Sequence, residues 1–218
     1  MSVKFKITPS DVLSITDKMS GKMKGMCSLS VSPSANPFCV AMHNSKDNNI
    51  ICTKCYSFRF EKFYKNAHKS WAMNYDILTS IDLSKYRVPR VKNEYNSFRF
   101  NAHGELGNRR HYENYVVIAE HNPNITFTLF TKRLDIIRKG GIIRLKNLIH
   151  IYSNPTINAP LYDIPIGFNK VFTVYTDKNF CATKINCQRS CAECLMCYKK
   201  NNRTIKVNEL LNRGMRDE

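Results

Sequence analysis

The cysteines near the carboxyl end of the chain have the residue type and the spacing that iron ligation requires. The stretch "CQRSCAECLMCYKK" carries Cys187, Cys191, Cys194 and Cys197, and two residues separate each of the last three. A tight turn of this kind aims successive thiolates at one cluster, while a further thiolate arrives from elsewhere. The run therefore predicts a set of ligands for a [4Fe–4S] cluster.

A second group of cysteines lies nearer the amino end. Cys39, Cys52 and Cys55 are predicted metal ligands, whereas Cys27, like Cys181 beside the other group, is predicted to be a small buried core residue. Four or five ligands would hold one [4Fe–4S] cluster, and seven or eight would hold two. In the simplest arrangement, the two groups meet at one end of the molecule.

Zinc is the alternative metal for the same thiols. A structural zinc ion is commonly held by two Cys-x2-Cys pairs around one tetrahedron. Cys52 with Cys55 and Cys194 with Cys197 would supply these pairs. Reduced thiols that bind nothing are the third interpretation, although closely spaced cysteines in a reducing compartment usually have a ligand role.

The compartment is predicted from what the sequence lacks. No run of about 18 apolar residues is present, so no membrane-spanning helix is expected. The first residues, "MSVKFKITPSDVLSITDK", have no apolar core or cleavage site of a secretory signal. We therefore expect a cytoplasmic protein with reduced cysteines and no membrane partner.

The charge is strongly positive. Lys and Arg number 34 against 17 Asp and Glu, a formal net charge of +17. One interpretation is a nucleic-acid partner, because basic surfaces gain free energy by releasing counterions from a polyanion. The other is local, since a thiolate-bound cluster adds negative charge that nearby basic residues offset. No P-loop, GxGxxG, GxSxG or HExxH pattern is present, so hydrolase chemistry on a known motif is not supported.

Strands and helices must position these residues, and they alternate along the middle of the chain. The predicted strands, rich in β-branched and aromatic residues, are "SFRFNA", "ITFTLFTKR", "NLIHIYSN" and "KVFTVYTD". Apolar periodicity predicts one long amphipathic helix after Cys55, a second over "GNRRHYENYVVIAEHNPN" and a short third over "LDIIRKG". This alternation predicts an α/β fold. We expect a partial (β/α) barrel or an open, mostly parallel sheet with cysteine-rich loops at one end.

The chain is predicted to form a single domain over residues 1–218. Within it we distinguish a lead-in (1–26), a cysteine-rich loop (27–55), an α/β core (56–180) and a C-terminal cysteine cluster (181–200).

Polar residues follow each predicted strand. The carboxyl ends of parallel strands meet at one edge of a sheet, where chemistry gathers in α/β folds. Asn101, Glu105 and Lys132 would line a pocket there, and they are the candidate catalytic residues. Polar ends of strands are also ordinary turn residues, so each position alone is weak support.

Basic and aromatic residues interleave in the first predicted helix. Phe58, Phe60, Phe63 and Tyr64 alternate with Arg59, Lys62 and Lys65. Such a pattern is able to stack nucleic-acid bases. At helical spacing it more often makes one core face and one charged face.

The order of these motifs resembles the phage gene 88 product family. The resemblance rests on "CTKCY" opening a helix that ends "NYDIL", then on "HGEL", "NYVVIAEHNPNITFTLFTKR" and the final "CAECLMCY", and it covers roughly residues 25–208. It implies a phage protein that acts in the infected host cell. It also implies that the metal ligands are Cys39, Cys52, Cys55, Cys191, Cys194 and Cys197, with Cys187 or else Cys181 as a seventh.

That family in turn resembles a shortened radical S-adenosylmethionine enzyme. Such enzymes place a cysteine cluster before the first helix and a glycine–glutamate motif after the next strand, where it holds the methionine moiety of the cofactor. Gly104 and Glu105 of "HGEL" stand where that motif would be. The spacing Cys39-x12-Cys52-x2-Cys55 and the single glycine depart from the usual pattern. The resemblance thus implies an iron–sulfur protein with redox or radical chemistry that binds S-adenosylmethionine; a zinc-stabilised nucleic-acid-binding protein is the alternative.

Overall fold

The computed structural model describes residues 13–91, 94, 96–200 and 205–211. Six strands form one sheet in which every neighbouring pair is parallel and the spatial order equals the chain order. The strands are β1 (Cys27–Leu29), β2 (Ser97–Phe100), β3 (Thr126–Thr131), β4 (Leu148–Ser153), β5 (Lys170–Tyr175) and β6 (Lys206–Leu210). The predicted α/β fold is confirmed: the parallel sheet is open and does not close into a barrel.

The helices lie where right-handed crossovers place them. They are α1 (Pro37–His43), α2 (Tyr56–Phe63), α3 (Lys65–Ser80), α4 (Arg109–Glu120), α5 (Leu134–Arg138) and α6 (Cys191–Cys194), with 3-10 turns at Gly21–Met23, Ile51–Lys54, Leu83–Lys85, Lys178–Phe180 and Met196–Tyr198. In a sheet of sequential order, right-handed connections carry their helices over the same face. That face holds the main core, in which Phe100 stacks on Tyr115 of α4 at 4.0 Å and on Phe127 at 4.9 Å.

The opposite face of the sheet is covered by the two ends of the chain. Phe130, Ile149 and Ile151 of β3 and β4 pack there against Cys197. Met23 and Met26 of the N-terminal segment form a second apolar cluster with Tyr198. We call this surface the open face, because α3, α4 and α5 pack on the other face. Of the described helices, the short α6 of the β5–β6 connection lies on the open-face side.

Both edges of the sheet are paired with a short non-strand segment. Thr16 forms an antiparallel bridge with Ser28 on the β1 side. On the β6 side, the N–H groups of Asn186 and Cys187 both donate to the Asn208 carbonyl, at 3.2 and 3.0 Å. Exposed strand edges invite pairing with other chains, so these segments protect the sheet.

The long helix predicted after Cys55 is two helices. It breaks at Tyr64, whose backbone (φ −110°, ψ 77°) is not helical. The break changes which side chains are buried: Glu61 is only 3% exposed, whereas Phe63 and Tyr64, assigned to the apolar face by periodicity, are 73% and 57% exposed. Periodicity alone therefore predicted the wrong face near the break.

The segment 27–55, predicted as a loop, contains β1 and α1. A three-residue strand is too short to show alternation, and α1 begins with Pro37 behind an Asn36 cap. The sixth strand, β6, was not predicted either. The lead-in is packed where it is described, since Met26 is 0% exposed; residues 1–12 lie outside the described residues.

The described helices include none that is both long and apolar enough to cross a lipid bilayer.

Candidate functional site

Cys39 is held at the carboxyl edge of the sheet by the cap of α1. The Asn36 side chain accepts a hydrogen bond from the Phe38 N–H at 3.0 Å, which satisfies the first turn of the helix. Its amide nitrogen donates to the Glu105 carbonyl at 2.8 Å, and Asn36 is only 1% exposed. One buried side chain therefore fixes the thiol-bearing helix against the loop that follows β2.

Cys52 and Cys55 lie on a 3-10 turn just before α2. The Cys55 N–H donates to the Cys52 carbonyl at 3.1 Å, which fixes the turn between them. A ring nitrogen of His43 lies 3.0 Å from the same carbonyl. The turn is tied to the loop after β4, because the Ile51 N–H donates to the Pro155 carbonyl at 2.8 Å. These contacts hold all three thiols, which are free and partly buried, beyond the strand ends.

Glu105 joins the ends of β2 and β3. It is 4% exposed, and its two carboxylate oxygens accept from the N–H groups of Leu106 and Lys132, both at 2.8 Å. The Lys132 ammonium donates to Ser153 Oγ, at the end of β4, at 3.2 Å. Two of the candidate catalytic residues thus sit side by side at the carboxyl edge.

The charges at this edge show that the thiols, Glu105 and Lys132 are neighbours. Burial raises the pKa of the Cys39 thiol, and the nearby charges of Glu105 and Cys55 add to the rise. The Lys132 ammonium acts in the opposite direction. For Lys132 itself, burial lowers the pKa, but the charges of Cys52 and Glu105 outweigh it, so the pKa is raised. We call Cys39, Cys52, Cys55, Glu105 and Lys132 the edge site.

Asn101 and Gly104 shape the loop between β2 and Glu105. Asn101 has a left-handed backbone (φ 53°) and accepts from the Tyr115 hydroxyl at 2.7 Å. Its side-chain nitrogen is buried and has no hydrogen-bond partner among the described residues. Gly104 has φ +81°, and a Cβ there would overlap the Val31 carbonyl oxygen. The glycine therefore has a packing role.

The C-terminal thiols lie against the open face. Cys187 Sγ is 3.9 Å from the Glu209 carboxylate, and Lys22 pairs with Glu209 while donating to the Cys187 carbonyl at 2.7 Å. Cys191 and Cys197 pack in the apolar cluster of Met23 and Tyr198. We call Cys187, Cys191, Cys194 and Cys197 the face site.

The thiols of the face site raise one another's pKa values. Burial raises the pKa of Cys197 to about 12, and the charges of Cys187 and Cys191 contribute to the rise. Burial likewise raises the pKa of Cys187 to about 11, with Glu209 and Cys191 adding to it. Burial also raises the pKa of Cys191, and the charge of Cys194 adds to the rise. Among the described thiols, those that raise one another's pKa belong to the same group.

The thiols thus fall into two groups, one at the carboxyl edge and one on the open face. The other two cysteines lie apart from both. Cys27 is a core residue of β1 whose thiol donates to the Asp17 carbonyl at 2.9 Å, and Cys181 packs with Tyr175 and Ile185.

Sequence reasoning missed the charged residues that surround the face site. The Arg99 guanidinium lies 4.0 Å from the Phe130 ring centroid on the open face, and Lys170 is 1% exposed. Lys22 and Glu209 come from opposite ends of the chain. Arg99 gave a weak signal as the polar residue of "SFRF", but that alternation predicted exposure to solvent. Nothing in the sequence marked Lys170.

Zinc and a four-iron cluster require different spacings between the thiol sulfurs. In the described part of the chain, no three His, Cys, Asp or Glu side chains are placed to hold a single metal ion. Around one zinc the sulfurs would lie about 3.8 Å apart, given Zn–S bonds of about 2.3 Å. In a four-iron cluster each thiolate binds a different iron, so the sulfurs lie farther apart. The edge site offers three thiols beside the Lys132 ammonium, and the face site offers thiols beside Lys22 and Arg99.

A cleft lies at the other end of the sheet. Its volume is about 510 Å³, and its lining includes Arg90, Asn96, Asn122 and Ile125, which precede β2 and β3. It contains none of the predicted site residues.

An exposed basic and aromatic surface lies at the junction of α2 and α3. All of residues 62–66 are exposed, including Lys62, Phe63, Tyr64 and Lys65. Phe60 is directed inward instead, stacking on Trp71 at 5.4 Å. Of the four aromatic residues in the predicted base-stacking pattern, Phe63 and Tyr64 are therefore the two that are exposed.

Comparison with known proteins gives one match. The family model described as Gene product 88 matches residues 9–186. No curated protein and no solved structure matches the chain significantly.

Proposed function

The chain belongs to the Gene product 88 family, and on that premise we propose that it is an iron–sulfur protein of the infected host's cytoplasm. The observation that carries the proposal is the edge site: three partly buried thiols next to a buried carboxylate and a lysine ammonium. Cys39, Cys52 and Cys55 would hold a [4Fe–4S] cluster. Such a cluster supplies one-electron transfer when it is bound.

The number of thiols decides what kind of site this is. Three protein ligands for four irons leave one iron free to bind a small molecule, as catalytic metal sites keep an open position. The rest of the edge site then selects that molecule. Glu105 keeps unused lone pairs after accepting two N–H groups, since each carboxylate oxygen accepts more than one hydrogen bond.

The pairing of Glu105 with Lys132 suits a zwitterion. A ligand ammonium would bind the Glu105 carboxylate, and a ligand carboxylate would bind the Lys132 ammonium. The buried Asn101 nitrogen adds a donor that lacks an acceptor within the described part of the chain. An α-amino acid group meets these requirements, and S-adenosylmethionine carries one. This supports redox or radical chemistry on a bound small molecule.

The test is anaerobic purification followed by an absorption spectrum and analysis of iron, acid-labile sulfide and zinc. We expect a brown protein with near-equal iron and sulfide. Cys52→Ser should lose about four irons per chain, whereas Cys181→Ser, a buried cysteine outside both groups, should keep the wild-type content. In the reduced protein, S-adenosylmethionine should change the electron paramagnetic resonance spectrum, and Glu105→Gln should weaken that change.

A colourless protein with stoichiometric zinc would overturn the proposal. It would favour a zinc-stabilised nucleic-acid-binding protein, which one observation supports independently. The exposed run at residues 62–66 offers two aromatic rings between lysines, a pattern suited to stacking on single-stranded bases. Binding of a labelled oligonucleotide that weakens steeply with salt would support that function.

A further inference from the structure

We propose that the face site binds a second [4Fe–4S] cluster, held by Cys187, Cys191, Cys194 and Cys197 and separate from the cluster at the edge. The inference rests on the proposed function only in the choice of iron over zinc. With four thiolates for four irons, this cluster has no open position and takes part in electron transfer without binding a substrate.

The backbone is bent so that Cys191 and Cys197 enter one apolar cluster. Cys191 and Cys194 span one turn of α6, and the chain then reverses at Leu195, which has a left-handed backbone (φ 48°). Only glycine adopts this conformation without cost; another residue pays about 1–2 kcal/mol. Such strain persists where the surroundings demand it, and it is common at ligand-binding sites. The reversal directs Cys197 back into the cluster that contains Cys191.

Three cations face these thiols from three different parts of the chain. Lys22 comes from the N-terminal segment, Arg99 from β2 and Lys170 from β5. The Lys22 ammonium donates a hydrogen bond to the backbone carbonyl of Cys187. Register pairs Lys170 with Ile151, which places its side chain on the open face with Cys197. An anionic cluster at the face site would gain from the positive charges of Lys22 and Arg99, which already act on the Cys191 thiol.

Arg99 supplies the most specific sign of a missing partner. Its terminal nitrogen reaches the sulfur of Met23 at 3.5 Å, but its Nε is buried and finds no acceptor among the described residues. Buried donors in folded proteins are nearly always satisfied. A cluster sulfur at the face site is an acceptor of the required charge, which accounts for the unpaired N–H.

A short chain of contacts connects the two sites. Tyr56, next to Cys55 of the edge site, donates its hydroxyl to the Ala102 carbonyl at 3.0 Å. Ala102 is buried in the same apolar cluster as Cys191 and Cys197 of the face site. Two clusters placed in this way would exchange an electron through the protein, the face cluster accepting it from a one-electron donor and passing it to the edge cluster.

The test counts irons in two matched triple variants of the full chain, reconstituted anaerobically with iron and sulfide. Wild type should bind about eight irons and eight sulfides. Cys39→Ser/Cys52→Ser/Cys55→Ser should keep about half, and so should Cys191→Ser/Cys194→Ser/Cys197→Ser. After reduction with dithionite, wild type should show the broadened electron paramagnetic resonance signal of two coupled clusters, and each variant the simple signal of one.

Arg99→Lys provides a milder probe that keeps the charge but removes the Nε donor. We expect it to retain iron and to shift the reduction potential of the cluster that remains in the edge-site variant. The inference is overturned if the face-site variant keeps the wild-type iron count, or if the wild-type face site holds zinc. An edge-site variant that loses no iron while the face-site variant loses all of it would sink the proposed function and leave this inference standing.

Discussion

At the scale of single residues, Gly104 and Glu105 show how one dipeptide serves both packing and chemistry. The positive φ of Gly104 lets the loop after β2 lie directly on the backbone of Val31. This close packing places the Glu105 carboxylate next to the residue that follows β3. There it accepts hydrogen bonds from the N–H groups of Leu106 and Lys132. A carboxylate fixed in this way is oriented before any ligand arrives, so it loses little conformational freedom on binding.

Replacing Gly104 by alanine should be far more damaging than the same change at Gly141. Both glycines have positive φ, but an added Cβ at Gly141 would meet nothing within 4 Å, whereas at Gly104 it would overlap the Val31 backbone. We expect about 1–2 kcal/mol of lost stability for Gly141→Ala from the backbone alone. For Gly104→Ala we expect about 1–3 kcal/mol more.

Urea unfolding of the two variants measures this difference. Equal losses would show that the loop moves away from Val31 at little cost, and that Glu105 is not rigidly placed.

The sequence predicted Glu105 and Lys132 as neighbours because a parallel sheet gathers its carboxyl ends. It did not predict Lys170 or Arg99 at the face site. Their placement depends on which face of the sheet each strand residue occupies, and the sequence does not say what covers the open face. Long-range packing of the two chain ends determines it.

At the scale of elements, asparagine side chains cap the amino ends of α1 and α4. Asn36 caps α1 and Asn108 caps α4, each accepting from an N–H of the first turn. The amide nitrogens differ: that of Asn36 binds a buried carbonyl of Glu105, while that of Asn108 binds the Thr79 carbonyl in an exposed setting. The first cap therefore connects two parts of the edge site, and the second only stabilises a helix end.

Asn36→Ala and Asn108→Ala form a matched pair of cap deletions. Asn108→Ala should cost about 1 kcal/mol of unfolding free energy, the usual value of a cap. Asn36→Ala should cost about 1–3 kcal/mol in addition, because it leaves the Glu105 carbonyl buried without a partner.

Chemical denaturation compares the two stabilities, and iron analysis compares the two sites. Only Asn36→Ala should lower iron content. Similar behaviour of both variants in both assays would contradict a role for Asn36 at the edge site.

Element prediction succeeded where strands and helices carry a strong local pattern, as in β3 and α4. It failed at the Tyr64 break and at β1. Helical periodicity continues across residues 56–80, and the non-helical backbone of Tyr64 is what divides the segment into two helices. A strand of three residues carries too few positions to show a period.

At the scale of the whole molecule, the main core is built around neutral histidines. His111 on α4 is 0% exposed and accepts from the Gly107 N–H at 3.2 Å, and burial lowers its pKa to about 3. His150 on β4 is 3% exposed and contacts the Tyr112 hydroxyl at 3.2 Å, and burial lowers its pKa to about 4. Protonation of either would place a charge inside the core.

Stability should therefore fall as the pH drops below about 6.5. The unfolded chain takes up the proton near 6.5, whereas folded His111 resists it until about 3. The stabilisation is fully present above the unfolded pKa and is lost as pH falls toward the folded one. Each buried histidine contributes a slope of up to about 1.4 kcal/mol per pH unit.

His111→Leu isolates that slope. Urea midpoints measured from pH 7.5 to 5.5 should decline less steeply in His111→Leu than in wild type. Parallel curves would mean that His111 is protonated in the folded protein.

The segment that closes the β6 edge is also the segment that carries Cys187. Two consecutive N–H groups, those of Asn186 and Cys187, donate hydrogen bonds to the Asn208 carbonyl. Whatever anchors the Cys187 side chain therefore also keeps the last strand from recruiting a strand of another molecule. If the proposed face cluster anchors Cys187, a shortage of iron during synthesis would loosen this segment, and self-association through β6 would be its first sign.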